Sequence, residues 1–188
     1  MEVTAVSAPN IALIKYWGNR NDEWRLPAAN SLSITLDAPS IEATVEPADT
    51  MSVSSLDELD EEKPQTEQSI ARLKNHFEWT QAYLESINRL EELPEHVRIV
   101  IHSQIPPGIG IASSAAVFSC LAEAYSGLLL SPLNREQRSI IARLGSGSAA
   151  RSIFGGYVAL ENVIGSFCKI PIEPRNVAKS KGGREPLK

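Results

Sequence analysis

PPGIGIASSAA, residues 106–116, joins two stretches of opposite character. Before it, VRIVIH (residues 97–102) alternates at period two, which predicts a strand with Val97, Ile99 and Ile101 on one face. After it, residues 114–129 are rich in Ala, Leu and Ser and carry one charge, Glu123, which predicts a buried helix. Glycine lets a backbone approach a ligand with no Cβ in the way. The N–H groups that open a helix carry partial positive charge and cradle anions. A strand, a glycine-serine turn and a helix start therefore form either a phosphate site or a tight turn packed for its own sake. The stretch is not a Walker loop, because no GK[ST] follows. It is not a dinucleotide fingerprint either, because the third glycine is absent.

Outward from that loop the chain alternates strand and helix signals. Asn134 is placed to cap a helix through Gln137, Ile140, Ile141 and Leu144, with Gly145 as its expected C-cap. GSGSAARS (residues 145–152) then sets three hydroxyls, two glycines and Arg151 within eight residues. Arginine grips carboxylate or phosphate in a bidentate fork; the plain alternative is a connector with a solvated Arg. SIFGGYVAL (residues 152–160) reads as a glycine break and a strand. Upstream, SLSITL (residues 31–36) and IEATVE (residues 41–46) alternate at period two, and residues 18–30 read as a hairpin turn. Together with the extended residues 3–16 they predict a β-rich meander over the first 50 residues. Thr66 caps an expected helix carrying Ile70, Leu73, Phe77, Tyr83, Leu84, Ile87 and Leu90, with His76 and Trp79 as packing residues. DELDEE (residues 57–62) reads as a solvated acidic turn rather than a metal site. The order of elements predicts an α+β fold.

The 188 residues, 43% hydrophobic and 22% charged, describe a globular chain able to bury a core. No apolar run reaches the roughly 20 residues of a membrane span, and the N-terminus lacks the features of a signal peptide. Cys120 and Cys168 make neither a disulfide framework nor a metal cluster. A cytoplasmic protein with no membrane or nucleic-acid partner is the expectation; net charge is −5 and the pI about 5.3. Residues 1–94 hold 7 basic and 17 acidic side chains, whereas residues 95–188 hold 11 and 6. Most of the second half's surplus lies in the last 20 residues, of which residues 174–188, with Pro174, Gly182, Gly183 and Pro186 and almost no large apolar side chain, are expected to be disordered.

Four stretches in order, APNIALIKYWGNR, LPAANSLSITL, PPGIGIASSAA and ARLGSGSAARSIFGGYV, resemble the N-terminal part of the mevalonate diphosphate decarboxylases and phosphomevalonate decarboxylases. These belong to the galactokinase, homoserine kinase, mevalonate kinase and phosphomevalonate kinase (GHMP) superfamily. The resemblance implies a GHMP-type N-terminal domain over residues 1–164, with a mixed or antiparallel sheet packed against helices, and a divergent basic tail over 165–188. It implies phosphorylation of the 3-hydroxyl of a mevalonate 5-phosphoester with ATP and Mg2+. Decarboxylation to an isopentenyl phosphate or diphosphate follows, in isoprenoid biosynthesis. By similarity, Pro107, Gly108, Gly110, Ala112, Ser113 and Ser114 would hold the ATP phosphates. Tyr16, Trp17, Gly18 and Asn19 match the substrate turn, and Ser146, Gly147, Ser148 and Arg151 match a second substrate loop. Arg151 would orient the substrate carboxylate, with Ser31, Ser33 and Arg72 as further contacts. No protein metal ligands are implied, and a homodimer is the family's common form.

Two departures qualify the resemblance. Asn19 stands where many diphosphate decarboxylases carry Lys, which inclines the reading toward mevalonate 5-phosphate. No Asp occurs after Asp60, so the family's catalytic Asp has no counterpart and its second lobe is expected to be missing. The alternatives are a mevalonate-type kinase and a non-catalytic nucleotide-binding module.

Overall fold

Among the described residues, alternation and capping give eleven strands and four α-helices. The computed structural model describes residues 1–22, 24–105, 113–161 and 169–172. Five strands form one mixed sheet: β1 (Val3–Ser7), β6 (Ile41–Pro47), β9 (Val97–Ser103), β7 (Ser52–Leu56) and β8 (Glu62–Pro64), in that spatial order. All neighbours are antiparallel except β7 and β9, which run parallel. Helix α1 (Glu67–Ser86) lies between β8 and β9 in the chain, so it makes the crossover that this parallel pair needs. Thr66 caps α1 as expected, its hydroxyl accepting from the Ser69 N–H.

A second, antiparallel sheet has the order β11 (Lys169–Ile172), β10 (Tyr157–Leu160), β5 (Ser31–Thr35), β2 (Asn10–Ile14). Strands β3 (Asn19–Asn21) and β4 (Leu26–Pro27) close the expected hairpin. The meander expected over the first 50 residues is thus divided between these two sheets and the separate β3–β4 hairpin. Pro9 breaks the extended segment: β1 pairs with β6 in one sheet and β2 with β5 in the other. Lys169–Ile172 pair with β10. Pro171 is tolerated there because β11 is an edge strand. Residues 173–188 lie outside the described residues.

Helix α2 (Ser113–Leu128) lies against β1, β6, α3 (Arg135–Gly145) and α4 (Ala149–Ser152). Its small buried residues, Ala115, Ala116, Ala122 and Ala124, let these elements approach it closely. Cys120 is buried and its Sγ lies 2.9 Å from the Ala5 carbonyl oxygen. Asn134 caps α3 in a reciprocal capping box with Gln137. On the outer face of the second sheet, Ile11, Ile34 and Tyr157 stand in register, with Ile11 and Tyr157 exposed. The acidic turn at Asp57 is a local cap: its Oδ1 accepts from the Leu59 and Glu61 N–H groups, and Lys63 pairs with it.

His76 joins α1 to α3. Fully buried, it lies 3.0 Å through Nε2 from the Ile141 carbonyl oxygen. A carbonyl only accepts, so this nitrogen carries the proton. The ring packs edge-on against Phe118 at 4.7 Å. Burial, reinforced by Arg25 and Arg72, lowers the His76 pKa to about 4, with the Ile141 hydrogen bond opposing the shift. Between pH 6.5 and 4 the unfolded chain therefore binds a proton that the folded chain does not, so stability falls as pH falls. At pH 5 the loss from this residue is about 2 kcal/mol relative to neutral pH. Urea titrations at pH 7 and pH 5 check this. His76→Gln should flatten the difference by about that amount, and an equal pH slope in both proteins would refute the assignment.

Candidate substrate site

Arg151 on α4 is the centre of the candidate site. It is 1% exposed, and its fork meets three oxygens. Nε donates to Ser33 Oγ at 2.9 Å, Nη1 to Ser31 Oγ at 2.6 Å and Nη2 to Asn10 Oδ1 at 3.3 Å. A guanidinium has five N–H donors. Among the described residues three are engaged, which leaves one on each terminal nitrogen. No described carboxylate forms an ion pair with Arg151. Burial lowers its pKa to about 10, opposed by Tyr16, so it remains a cation at neutral pH.

The elements converge on this group for local reasons. In β5 the alternation turns Ser31 and Ser33 inward beneath α4 and leaves Leu32 and Ile34 half-buried. Period two placed the strand, but it does not say which face is covered; the guanidinium decides in favour of the hydroxyls. Each serine oxygen accepts from Arg151, which directs the serine's own hydrogen elsewhere. Asn10 is buried at the start of β2; its Nδ2 donates to Ser152 Oγ at 2.7 Å and to the Ser148 carbonyl at 3.0 Å. It thereby ties the Ser146–Ser148 loop to the second sheet.

Tyr16 links the hairpin to that loop. A Cβ added at Gly147 would lie 2.5 Å from the Tyr16 ring, so glycine is required for the contact. The Tyr16 hydroxyl donates to Asn19 Oδ1 at 2.6 Å and also reaches the Arg25 carbonyl at 2.9 Å. Ser146 and Ser148 Oγ lie 3.3 Å apart. Burial raises the Tyr16 pKa, and Arg143, Arg25 and Arg151 partly offset it. Trp17 is exposed beside Gly18, whose φ of +64° is the left-handed conformation that a turn assigns to glycine.

Arg72 reaches the same region from α1. Its Nη2 donates to the Gly145 carbonyl at 3.2 Å, and its guanidinium stacks over Phe118 at 4.6 Å. Gly145 is not the left-handed C-cap the sequence suggests. It ends α3 with no positive φ, and Ser146 is the cap. Glycine is needed because a Cβ there would fall 2.0 Å from the Phe118 ring.

Ser113 and Ser114 open α2. Ser114 and Phe118 share a face of that helix, one turn and about 6 Å apart along its axis. The helix start therefore lies about one turn from the Gly145 contact. Pro107, Gly108, Gly110 and Ala112 lie outside the described residues.

Three residues of the site had escaped the sequence reading. Asn10 is a polar residue opening the apolar run NIALI. Arg143 is a charge on the apolar face of α3, 2% exposed, its Nε donating to the Trp24 carbonyl at 3.2 Å. A charge among Ile140, Ile141 and Leu144 was a legible signal. Asp22 accepts from Asn19 Nδ2 at 3.0 Å, which sequence spacing does not reveal.

Comparison with known proteins supplies the family. A model of the diphosphomevalonate decarboxylase-like N-terminal domain matches residues 7–165. The chain belongs to that family. It is 39% identical over 164 residues to the diphosphomevalonate decarboxylase of Aspergillus fumigatus, covering 83% of this chain and 40% of that relative. The mevalonate diphosphate decarboxylase of Staphylococcus aureus superposes with a TM-score of 0.77 at 26% identity, over 93% of this chain and 51% of the other. A structure described as MDDEF in complex with MVAPP, AMPPCP and magnesium gives 0.74 at 31% identity, over 91% and 51%. The α+β architecture is that of these decarboxylases. This chain spans about 40% of the length of the curated relatives and about half of these solved ones. Among the described residues no helix is long and apolar enough to cross a membrane.

Proposed function

We propose that this chain forms the substrate- and nucleotide-holding part of an ATP-dependent decarboxylase acting on a mevalonate 5-phosphoester, in isoprenoid precursor synthesis. The observation that carries this reading is Arg151, a buried cation with donors to spare, set among Asn10, Ser31 and Ser33 beside the Ser146–Ser148 loop. Such a group suits a carboxylate, and the hydroxyl-rich loop and Arg72 suit a phosphoester. In the proposed reaction ATP gives its γ-phosphoryl to the 3-hydroxyl. Inorganic phosphate then leaves with the C–O pair, the C–C pair of the carboxylate becomes the double bond, and CO2 departs.

The start of α2 fits a nucleotide phosphate, since Ser113 and Ser114 add hydroxyls to its N–H groups. Among the described residues no group of three or more His, Cys, Asp or Glu could hold a metal ion. Magnesium would therefore be carried by the nucleotide phosphates, which it favours as a hard cation. Asn19 in place of a lysine favours mevalonate 5-phosphate over the diphosphate.

Calorimetric titration with mevalonate 5-phosphate, mevalonate 5-diphosphate and MgATP tests the reading. Binding of both phosphoesters is expected, tighter for the monophosphate. Tighter diphosphate binding removes the monophosphate preference, and no binding of either overturns the site. A second reading, a non-catalytic binding module, has its own support. Among the described residues no carboxylate hydrogen-bonds to Arg151, Ser31, Ser33, Ser146 or Ser148. Binding without CO2 release would select it, whereas a phosphorylated product without CO2 would select a related kinase.

A further inference from the structure

The hairpin that carries Tyr16 holds a negative charge at its edge. Asn19 receives the Tyr16 hydroxyl on Oδ1 and donates through Nδ2 to Asp22 Oδ1. The reverse amide orientation would set its carbonyl against a carboxylate, so the two neighbours fix the side chain. Asn19 is thus committed to Asp22 on one side and Tyr16 on the other, and Tyr16 in turn lies on Gly147. A continuous contact path runs from the Asp22 carboxylate through Asn19 and Tyr16 to the Ser146–Ser148 loop.

The charge along this path changes sign. Arg151 stands buried at the inner end, and Arg25 and Arg143 also act on the Tyr16 phenol as positive charges. Asp22 acts on the same phenol as a negative charge, from the exposed turn. A ligand whose carboxylate lies toward Arg151 and whose phosphoester lies toward the hairpin meets attraction within and, at the rim, the Asp22 carboxylate, whose negative charge offsets the positive charge of the exposed Arg20 in the same turn. A monophosphate carries roughly −1.5 to −2 at neutral pH, and a second phosphoryl group adds negative charge at the distal end, nearest the rim.

We propose that Asp22, held in place by Asn19, is a specificity-determining charge that disfavours the diphosphate relative to the monophosphate. This rests on the proposed function, with the phosphoester on the Ser146–Ser148 loop and its outer end toward the hairpin that Tyr16 joins to that loop at Gly147. At a separation of several ångströms near a protein surface, one unit charge is worth about a five- to tenfold change in affinity, and salt reduces it.

The test measures dissociation constants for mevalonate 5-phosphate and mevalonate 5-diphosphate by calorimetry at low and high salt. Wild type is compared with Asp22→Asn, which keeps shape and removes charge, and with Asp22→Ser. Both variants should shift the ratio of the two constants toward the diphosphate by about five- to tenfold at low salt and by less at high salt. A ratio within twofold of wild type at low salt, with both ligands still bound, overturns the inference and leaves the proposed function standing. A wild type that prefers the diphosphate removes the monophosphate reading, while the change in ratio still decides the role of Asp22. Failure of wild type to bind either ligand overturns both.

Discussion

Arg151→Ala should weaken binding of the proposed ligand, a mevalonate phosphoester, by about a thousandfold, measured by calorimetry. Loss of one member of a buried, hydrogen-bonded charge pair costs about 2–5 kcal/mol, and about 4 kcal/mol corresponds to that factor. Two effects oppose each other in the unliganded protein. Arg151 is a charge held out of water, as its lowered pKa reflects, so its removal relieves a desolvation cost. It is also the donor to Ser31, Ser33 and Asn10, two of which are 2% exposed or less. Leaving such groups unpaired costs about 1–3 kcal/mol each where water does not enter. The hydrogen-bond loss is the larger, because three oxygens lose their donor together. Arg151→Lys separates charge from geometry. A single ammonium keeps the charge but lacks the planar fork that spans three directions, so it too should bind weakly and melt lower than wild type. Phosphoester affinity in Arg151→Ala within threefold of wild type would refute the role.

What could be read in the sequence followed signals that are local. Thr66 and Asn134 announce α1 and α3 because an N-cap is a contact over three residues. SLSITL and VRIVIH announce strands because pleating sets a period of two. Partner choice was not legible. The break at Pro9 is visible, but nothing nearby says that the strands flanking it join different sheets. Strand β7 was missed because SVSSL lacks the β-branched alternation; its parallel pairing with β9 across α1 supplies what composition does not. The site divides in the same way. GSGSAAR marks itself by glycine and hydroxyl density, and Ser31 and Ser33 entered by resemblance. Asn10 stands 141 positions before Arg151, and their contact exists only once β2 and β5 pair under α4. Gly145 illustrates a right residue with a wrong reason. A glycine at a helix end reads as a left-handed cap, whereas here a buried phenyl from another helix excludes any side chain.

That phenyl makes Gly145→Ala a severe substitution. Alanine normally stabilises a helix over glycine by about 1 kcal/mol, and Gly145 is the last residue of α3. Against this stands a Cβ placed 2.0 Å from Phe118 Cδ1 and 2.2 Å from Cγ. Phe118 is 2% exposed, with Arg72 over its face and His76 against it at 4.7 Å, so little room remains for the ring to retreat. Overpacking of a filled core costs about 1–3 kcal/mol and at times more, and the near-complete overlap here places the cost at the upper end. The net expectation is a loss of about 2–3 kcal/mol, or a fall in melting temperature of about 5–10 °C for a chain of this size. The displaced ring would also disturb the Arg72 bond to the Gly145 carbonyl, so phosphoester affinity should fall with stability. A double-mutant cycle isolates the cause. Phe118→Leu removes the ring atoms that collide, so Gly145→Ala should cost at least 1 kcal/mol less in that background than in wild type. Equal costs in the two backgrounds would show that the glycine serves some need other than the approach of Phe118.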